Sequence, residues 1–381
     1  MSRVVVIGAL PQSLINFRGD LINALVRDGH EVTAMAAEAE PACVTQLAAA
    51  GVRFAAFPVR RSGLNPIDDL RTYLALRRLL SRLAPDVVLA YTIKPIVWGG
   101  LACRHLPNIR FYALVTGLGF AFQRGGLRRR ALARVASMLY RAALARARRV
   151  IFQNPDNRDE FVARRIVTPA KAHVVSGSGV NLERFAFSQL PPAGAVFLAV
   201  GRLLGEKGFR VYAEAARRVK QVHPFAVFRL VGAEDPSPDG IPADEVRQWH
   251  ARGWIEFCGE AGDVRPLIAA CHVFVHPSFH EGMPRTVLEA MAMGRPILTT
   301  DVPGCRETVV PDENGYLVRK DDPAALAERM VWFLEHRDRW GAMGARSRAL
   351  AEERFDVHKV NRQLFTIMEL RNDVARSIGH V

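Results

Sequence analysis

Hydrophobic positions in the first half of the chain come in short β-branched runs, at 4–7, 31–36, 52–57, 86–91, 110–115 and 149–152. Between them apolar residues recur at helical spacing, over 17–27, 68–83 and 128–146. Runs this short suit strands covered on both faces, and the longer amphipathic stretches suit the crossovers between them. Strand, helix, strand at this interval predicts βαβ units on a parallel sheet. The pattern breaks at 176–194 (SGSGVNLERFAFSQLPPAG), where Gly, Ser and a Pro-Pro pair predict an interdomain linker, placed at 181–194. It then restarts, with strands at 196–200, 227–231, 255–258, 273–276, 296–299 and 315–318. Helices fit 209–221, 243–252, 264–270, 284–293 and 323–336, and the tail reads as helical over 339–353 and 357–373. The predicted fold class is α/β, two Rossmann-like doubly wound domains facing across a cleft. They cover 1–180 and 195–355, with a C-terminal helix in 356–381 packing back toward the N-terminal domain. A length of 381 residues suits two such cores better than one.

Composition narrows the class. An apolar share of 49% is that of a globular chain, and no repeat or low-complexity tract interrupts it. Five scattered cysteines (Cys43, Cys103, Cys258, Cys271, Cys305), odd in number and never in a CxxC pair, predict reduced, buried thiols in the cytosol. The first residues read as a strand rather than a secretory signal. No stretch reaches the roughly 18 uncharged apolar residues of a spanning helix, so any membrane contact is expected to be peripheral.

The formal charge of +14 is unevenly placed. Residues 1–180 carry 26 Lys/Arg against 11 Asp/Glu, a surplus of 15, whereas 181–381 carry 26 against 27. Between Asp86 and Asp156 there are twelve basic residues and no acidic one. A surplus confined to one half predicts an anionic partner for that half. Nucleic acid, anionic lipid and a pyrophosphate-bearing substrate all satisfy that charge.

The sharpest chemical signal is 281–289, EGMPRTVLE, after a predicted strand that runs into 275–278, VHPS. Pro284 suits the first turn of a helix, where a missing N–H costs nothing. Gly282 permits close backbone approach, and the free amides at the helix head favour a diphosphate. Gly282, Met283, Pro284, Thr286, Val287, Leu288 and Glu289 are therefore candidate nucleotide-binding positions. Glu281 precedes the helix and can reach a sugar beyond the phosphates. Glu289 lies a turn or two along and can accept from a ribose diol. The competing reading is a helix cap plus a surface glutamate.

A second element, 200–208 (VGRLLGEKG), follows the first strand of the second domain. Arg202 and Lys207 flank a glycine-rich loop where charge-assisted donors would neutralise a departing pyrophosphate. Solvated surface charges are the bland alternative. The two elements fall at the same edge of the same predicted sheet.

Both motifs, in this order and in the second of two Rossmann-like domains, resemble those of family 4 glycosyltransferases with the GT-B fold, over nearly the whole chain. The segments 13–18 (SLINFR), 92–95 (TIKP) and 114–119 (LVTGLG) are similar to those of bacterial enzymes that add N-acetylgalactosamine to a diacetylbacillosaminyl-diphospho-undecaprenol, and of related O-antigen and capsule transferases. The resemblance implies transfer of a hexosamine or hexose from a UDP-sugar, with retention, to an undecaprenyl-diphosphate-linked glycan. It implies that Glu281 holds the donor sugar, Glu289 the ribose, and Arg202 and Lys207 the diphosphate. Gly8 and Arg18 would lie near donor phosphate and acceptor; Lys94, Thr116 and Gly117 would line the acceptor side. Many members place a histidine or acidic residue near the reacting carbon where this chain has Thr116. The general base stays unassigned, and front-face attack assisted by the leaving phosphate needs no protein nucleophile.

No metal or other cofactor is expected: the chain has no DxD triplet at a strand end and no His/Cys cluster with ligand spacing. Asp321-Asp322 before Pro323 reads as a helix cap. Pro277 separates His276 from His280, so the two are not a helical ligand pair. Segment 124–149 holds nine arginines, among them Arg128, Arg129, Arg130 and Arg134, beside Leu127, Leu132, Val135, Met138, Leu139, Tyr140 and Leu144. That pattern predicts a helix docked in an anionic headgroup layer at the inner face of the cell membrane, or else one packed on its own domain. Two other functions fit less of the sequence. A GT-B sugar-nucleotide epimerase would need no lipid acceptor. A nucleic-acid-binding protein would need recognition signatures and stacking aromatics that the basic region lacks.

Overall fold

The structure is a computed structural model that describes residues 1–60, 63, 65–119, 122 and 126–370, with the side chains of 127–129 outside the description. The chain divides into two compact units, Met1–Ser178 with Val357–Val381, and Gly179–Asp356.

Unit 1 carries β1 (Arg3–Ile7), β2 (Glu31–Ala36), β3 (Arg53–Ala56), β4 (Val87–Tyr91), β5 (Arg110–Val115), β6 (Arg149–Phe152) and β7 (Ala172–Val174). They form one parallel sheet in the order β3-β2-β1-β4-β5-β6-β7. Every residue of β4 is buried, as expected for a central strand with helices on both faces. One face packs with Leu76, Leu80, Ile96 and Tyr140, the other with Leu21, Ile22, Leu25 and Leu47. The Val357–Ile367 helix belongs to this second layer: Val360 and Leu364 are buried in it, and Asn361 Nδ2 donates to Asp20 O at 3.2 Å.

Unit 2 carries β8 (Val196–Val200), β9 (Val227–Val231), β10 (Glu256–Phe257), β11 (Val273–His276), β12 (Ile297–Thr300) and β13 (Gly315–Val318). Their parallel order is β10-β9-β8-β11-β12-β13. The Phe209–Val222 and Pro323–Glu335 helices cover one face through Tyr212, Ala216, Leu326 and Met330; the Arg285–Ala292 helix covers the other through Val287, Leu288 and Met291.

Four helices absent from the sequence reading are present: Pro11–Asn16, Pro41–Ala49, Ile93–Cys103 and Pro155–Ala163. Each has a proline in its first turn, where the missing N–H removes no intrahelical bond. Read linearly, those prolines look like breaks. The segment 181–194 is not a free linker but part of unit 2. Phe185 is buried there, Val180 N bonds Phe355 O at 2.7 Å, and Arg295 Nη2 donates to Ser188 O and Gln189 O. The boundary accordingly falls between 178 and 179. All five cysteines are free, but Cys258 is exposed while the other four are buried. The Asp322 cap is present, accepting from Ala325 N at 3.0 Å.

Candidate active site

In both sheets the strand order reverses once, and the crevice beyond the carboxyl ends of the two strands at that reversal is where open α/β sheets bind ligands. In unit 2 these strands are β8 and β11. The loop after β8 contains Arg202 and a short 3-10 turn, Gly205–Lys207; the loop after β11 contains Glu281. The two loops are tied together: Phe279 N bonds Glu206 O at 2.8 Å, and Ser278 Oγ donates to the same carbonyl at 3.2 Å.

Gly208 makes the close approach possible. Its φ is +72°, and a Cβ there would sit 2.0 Å from Pro277 O. Only glycine fits that backbone conformation and that spacing.

The result is a compact charged cluster. Lys207 Nζ donates to Glu281 Oε1 at 2.5 Å, and His276 Nε2, at the last residue of β11, lies 2.8 Å from the same oxygen. The Glu281 side chain is only 11% exposed. Burial alone would raise its carboxyl, but the Lys207 charge and the His276 hydrogen bond outweigh that and hold it well below the ordinary carboxylate range. Its neighbour His280 is pulled down, first by burial.

Glu289 differs. It lies in the second turn of the Arg285–Ala292 helix, is 7% exposed, and bonds Arg285 Nε at 3.0 Å. Burial raises its carboxyl, and the Arg285 charge offsets that only partly.

Several expected positions fall elsewhere. Pro284 is the residue before the helix rather than in its first turn. Val287 and Leu288 are core residues, and their amides are engaged by Pro284 O at 3.1 and 3.3 Å, so neither offers a free group to a ligand. Gly282 is buried, Met283 packs against the core, and Thr286 is half-buried. Arg202 does not join the Glu281 cluster: it is paired with Asp235 in the loop after β9. Pro277 excludes only a helical pairing of His276 with His280. The contact of His276 with Glu281 comes from a strand end, which linear spacing does not reveal.

In unit 1 the reversal lies between β1 and β4. Gly8 follows β1, and a Cβ there would meet the Tyr91 hydroxyl at 2.3 Å. That hydroxyl lies 2.7 Å from Ser13 Oγ, and the Arg18 guanidinium stacks 4.9 Å from the centroid of the Tyr91 ring. Arg18, 2% exposed, also donates to Ser178 Oγ at 2.9 Å. Gly8 and Arg18 are thus joined through Tyr91. Thr92, after β4, has φ of +66°, a strained conformation for a β-branched residue and one that clusters at functional sites. Lys94 is the second residue of the next helix, and its Nζ is 2.8 Å from Asp69 Oδ1. Thr116 and Gly117 follow β5 and are half-buried.

The Leu127–Leu144 helix divides its apolar side chains between core and surface. Tyr140 and Leu144 are buried in the unit 1 core and Leu139 packs beside them, so part of the apolar face serves its own domain. Arg130, Arg134, Val135, Met138 and Arg141 share the exposed stripe. The side chains of Arg128 and Arg129 lie outside the described residues. Among the described residues no helix is long and apolar enough to cross a membrane, and no group of three or more His, Cys, Asp or Glu is placed to hold a metal ion.

Comparison with known proteins places the chain in a family. Residues 16–177 match the glycosyl transferase 4-like domain and residues 194–336 the glycosyl transferases group 1 model. A Campylobacter jejuni N,N'-diacetylbacillosaminyl-diphospho-undecaprenol alpha-1,3-N-acetylgalactosaminyltransferase is 27% identical over 85% of this chain and 87% of its own length. An Escherichia coli UDP-Gal:alpha-D-GlcNAc-diphosphoundecaprenol alpha-1,3-galactosyltransferase is 26% identical over 72% and 73%. Among solved structures, a sucrose-phosphate synthase from Thermosynechococcus elongatus superposes with a TM-score of 0.79 at 19% identity, covering 97% of this chain and 98% of that one. Anabaena HepE in complex with UDP and glucose reaches 0.77 at 19% identity, over 97% and 100%. The chain belongs to the family 4 glycosyltransferases and has their GT-B fold.

Proposed function

We propose that this glycosyltransferase moves a hexosamine or hexose, with N-acetylgalactosamine the first candidate, from a UDP-sugar to an undecaprenyl-diphosphate-linked glycan during surface-polysaccharide assembly. The observation that carries the reading is the buried Lys207–Glu281–His276 cluster at the strand-order reversal of unit 2, ahead of a helix N-terminus. A carboxylate held ionised there is an acceptor for sugar hydroxyls, and Lys207 is a cation for the diphosphate beside it. Glu289 takes the ribose. Two relatives named for undecaprenyl-diphosphate acceptors support the acceptor class.

Transfer proceeds with retention. The bond from the anomeric carbon to the diphosphate oxygen breaks while the acceptor hydroxyl oxygen bonds that carbon on the same face. The hydroxyl proton passes to the leaving diphosphate. Arg202, Lys207 and helix-head amides supply the charge neutralisation, without a required metal ion. Gly8, Arg18, Lys94, Thr116 and Gly117 lie at the carboxyl edge of the unit 1 sheet and serve the acceptor.

The acceptor lives in a bilayer, and unit 1 meets it peripherally at the inner face of the membrane. Support comes from exposed apolar side chains among exposed arginines: Val135 and Met138 with Arg130 and Arg134 on one helix. The Pro66–Leu83 helix adds Ile67, Leu70 and Leu74 beside Arg71, Arg77 and Arg78. Several such basic residues, each worth about 1 kcal/mol near an anionic leaflet, suffice for reversible docking.

A screen of UDP-, GDP- and dTDP-sugars by thermal shift and by turnover, with and without EDTA, tests the reading. Response to UDP-sugars alone, unaffected by chelation, is expected. A response confined to another nucleotide, or activity lost to EDTA and restored by magnesium, overturns the donor or the metal-free assignment.

A further inference from the structure

We infer that His276 positions the Glu281 carboxylate: together with Lys207 it occupies one oxygen and thereby sets the other as the oxygen presented to the sugar. The inference rests on the reading of Glu281 as the sugar-holding residue.

The two donors converge on Oε1, Lys207 Nζ at 2.5 Å and His276 Nε2 at 2.8 Å. A carboxylate held ionised is an acceptor only, so the imidazole donates from Nε2. Two donors fill the two lone pairs of Oε1. Oε2 meets no donor among the described residues, which leaves its full accepting capacity for a ligand.

The two tethers differ in stiffness. Lys207 reaches Glu281 along a flexible four-carbon stem from a short turn. His276 is the last residue of β11, is 2% exposed, pairs with Thr299 in the sheet, and its carbonyl accepts from Thr299 Oγ1 at 2.6 Å. The lysine supplies charge; the histidine supplies direction.

The other ring nitrogen points the same way. Nδ1 is buried and has no hydrogen-bond partner among the described residues. Among the described residues the ring's hydrogen bond is the one at Nε2. Loss of that bond would let the carboxylate rotate about its terminal torsion, with the error falling on the sugar and not on the nucleotide.

The test compares wild type, His276→Leu, His276→Gln and Glu281→Ala with UDP-N-acetylgalactosamine as donor probe and free UDP as nucleotide probe. Gln reaches the position of Nε2 with an N–H. His276→Leu is expected to lower kcat/KM by about 10- to 100-fold with the UDP affinity unchanged, and Gln to recover most of it. Wild-type turnover in the Leu variant, or equal loss of turnover and UDP affinity that Gln does not relieve, overturns the inference. Should Leu fail to fold, His276→Asn replaces it: Asn is polar but too short, and Asn as active as Gln is equally fatal. If Glu281→Ala itself keeps wild-type turnover, the reading of Glu281 falls. If only Glu281→Ala loses turnover, the role of His276 alone falls.

Discussion

Lys207 and Glu281, 74 positions apart in sequence, meet at 2.5 Å across the carboxyl ends of β8 and β11. Neither belongs to a regular strand, and neither is placed by its own neighbours. Their meeting follows from sheet order, which sets β8 beside β11, and from Gly208, which lets one loop lie against the other. The pair is nearly dry, so each partner depends on the other: a buried charge without its counterion is costly, on the order of 3 kcal/mol when one partner is removed.

Glu281→Ala is therefore expected to do two things. Transfer falls by at least about a hundredfold, the scale for losing a preorganised polar contact to the reacting centre. The melting temperature also falls by several degrees, because Lys207 is left half-buried and unpaired, while the circular dichroism spectrum is unchanged. Wild-type turnover in a folded variant refutes the assignment.

Glu289→Gln is expected to have the opposite effect on stability. Burial raises the Glu289 carboxyl above its unfolded value, so the native state takes up this proton more readily. The ionised form costs stability at neutral pH, and that cost is relieved as pH falls through the raised value. Glu281 behaves the other way: its carboxyl is depressed, so its contribution is present above the unfolded value and lost only under strongly acid conditions. Glu289→Gln should thus raise the melting temperature at pH 7, and the difference from wild type should narrow as pH falls, while affinity for the UDP-sugar drops. Melting curves from pH 5 to 8 decide; a lower melting temperature at pH 7 contradicts the burial argument.

Gly208→Ala tests the backbone geometry. A Cβ placed 2.0 Å from a carbonyl oxygen, at φ of +72°, cannot be accommodated without moving the loop. A loss of about 2–4 kcal/mol is expected, well above the usual glycine-to-alanine cost at an unconstrained position. Because the same loop carries Lys207, turnover should fall even where the variant remains folded. Urea unfolding and steady-state assays measure both.

The strands were readable because buried parallel strands repeat a simple signal, a short β-branched run. β2, β5, β6, β8, β9, β11 and β13 fall where the pattern puts them. Helices opened by proline were not, since Pro11, Pro41 and Pro155 act as helix starters only in a context that spacing does not encode. The 181–194 segment reads as a linker because its glycine and prolines speak louder than Phe185, Leu182 and Leu190, which pack it onto unit 2. At the site, Glu281 and Lys207 were found as motif members. Their direct contact, the contact of His276 with Glu281 and the pairing of Arg202 with Asp235 depend on which loops become neighbours. Val287 and Leu288 turn into the core, because the body of this helix packs on the sheet.

Membrane docking is tested on side chains whose exposure is established. Arg130→Glu with Arg134→Glu should weaken binding to anionic vesicles by about 2 kcal/mol or more, roughly thirtyfold, and flatten its salt dependence. Val135→Ser with Met138→Ser should weaken binding at all salt concentrations. Sedimentation with vesicles that is unchanged in both double variants ends the proposal.

Acceptor dependence is the most direct measurement of the central claim. Wild-type protein is mixed with a UDP-sugar and a polyprenyl-diphosphate-linked sugar, and the lipid-linked product is followed by mass spectrometry and by the anomeric configuration of the new bond. The account predicts one added hexosamine or hexose, an α-linkage from an α-configured donor, and no product when acceptor is withheld or Glu281 is replaced by alanine. Donor that is epimerised or consumed equally fast without acceptor, or a product of inverted configuration, contradicts it.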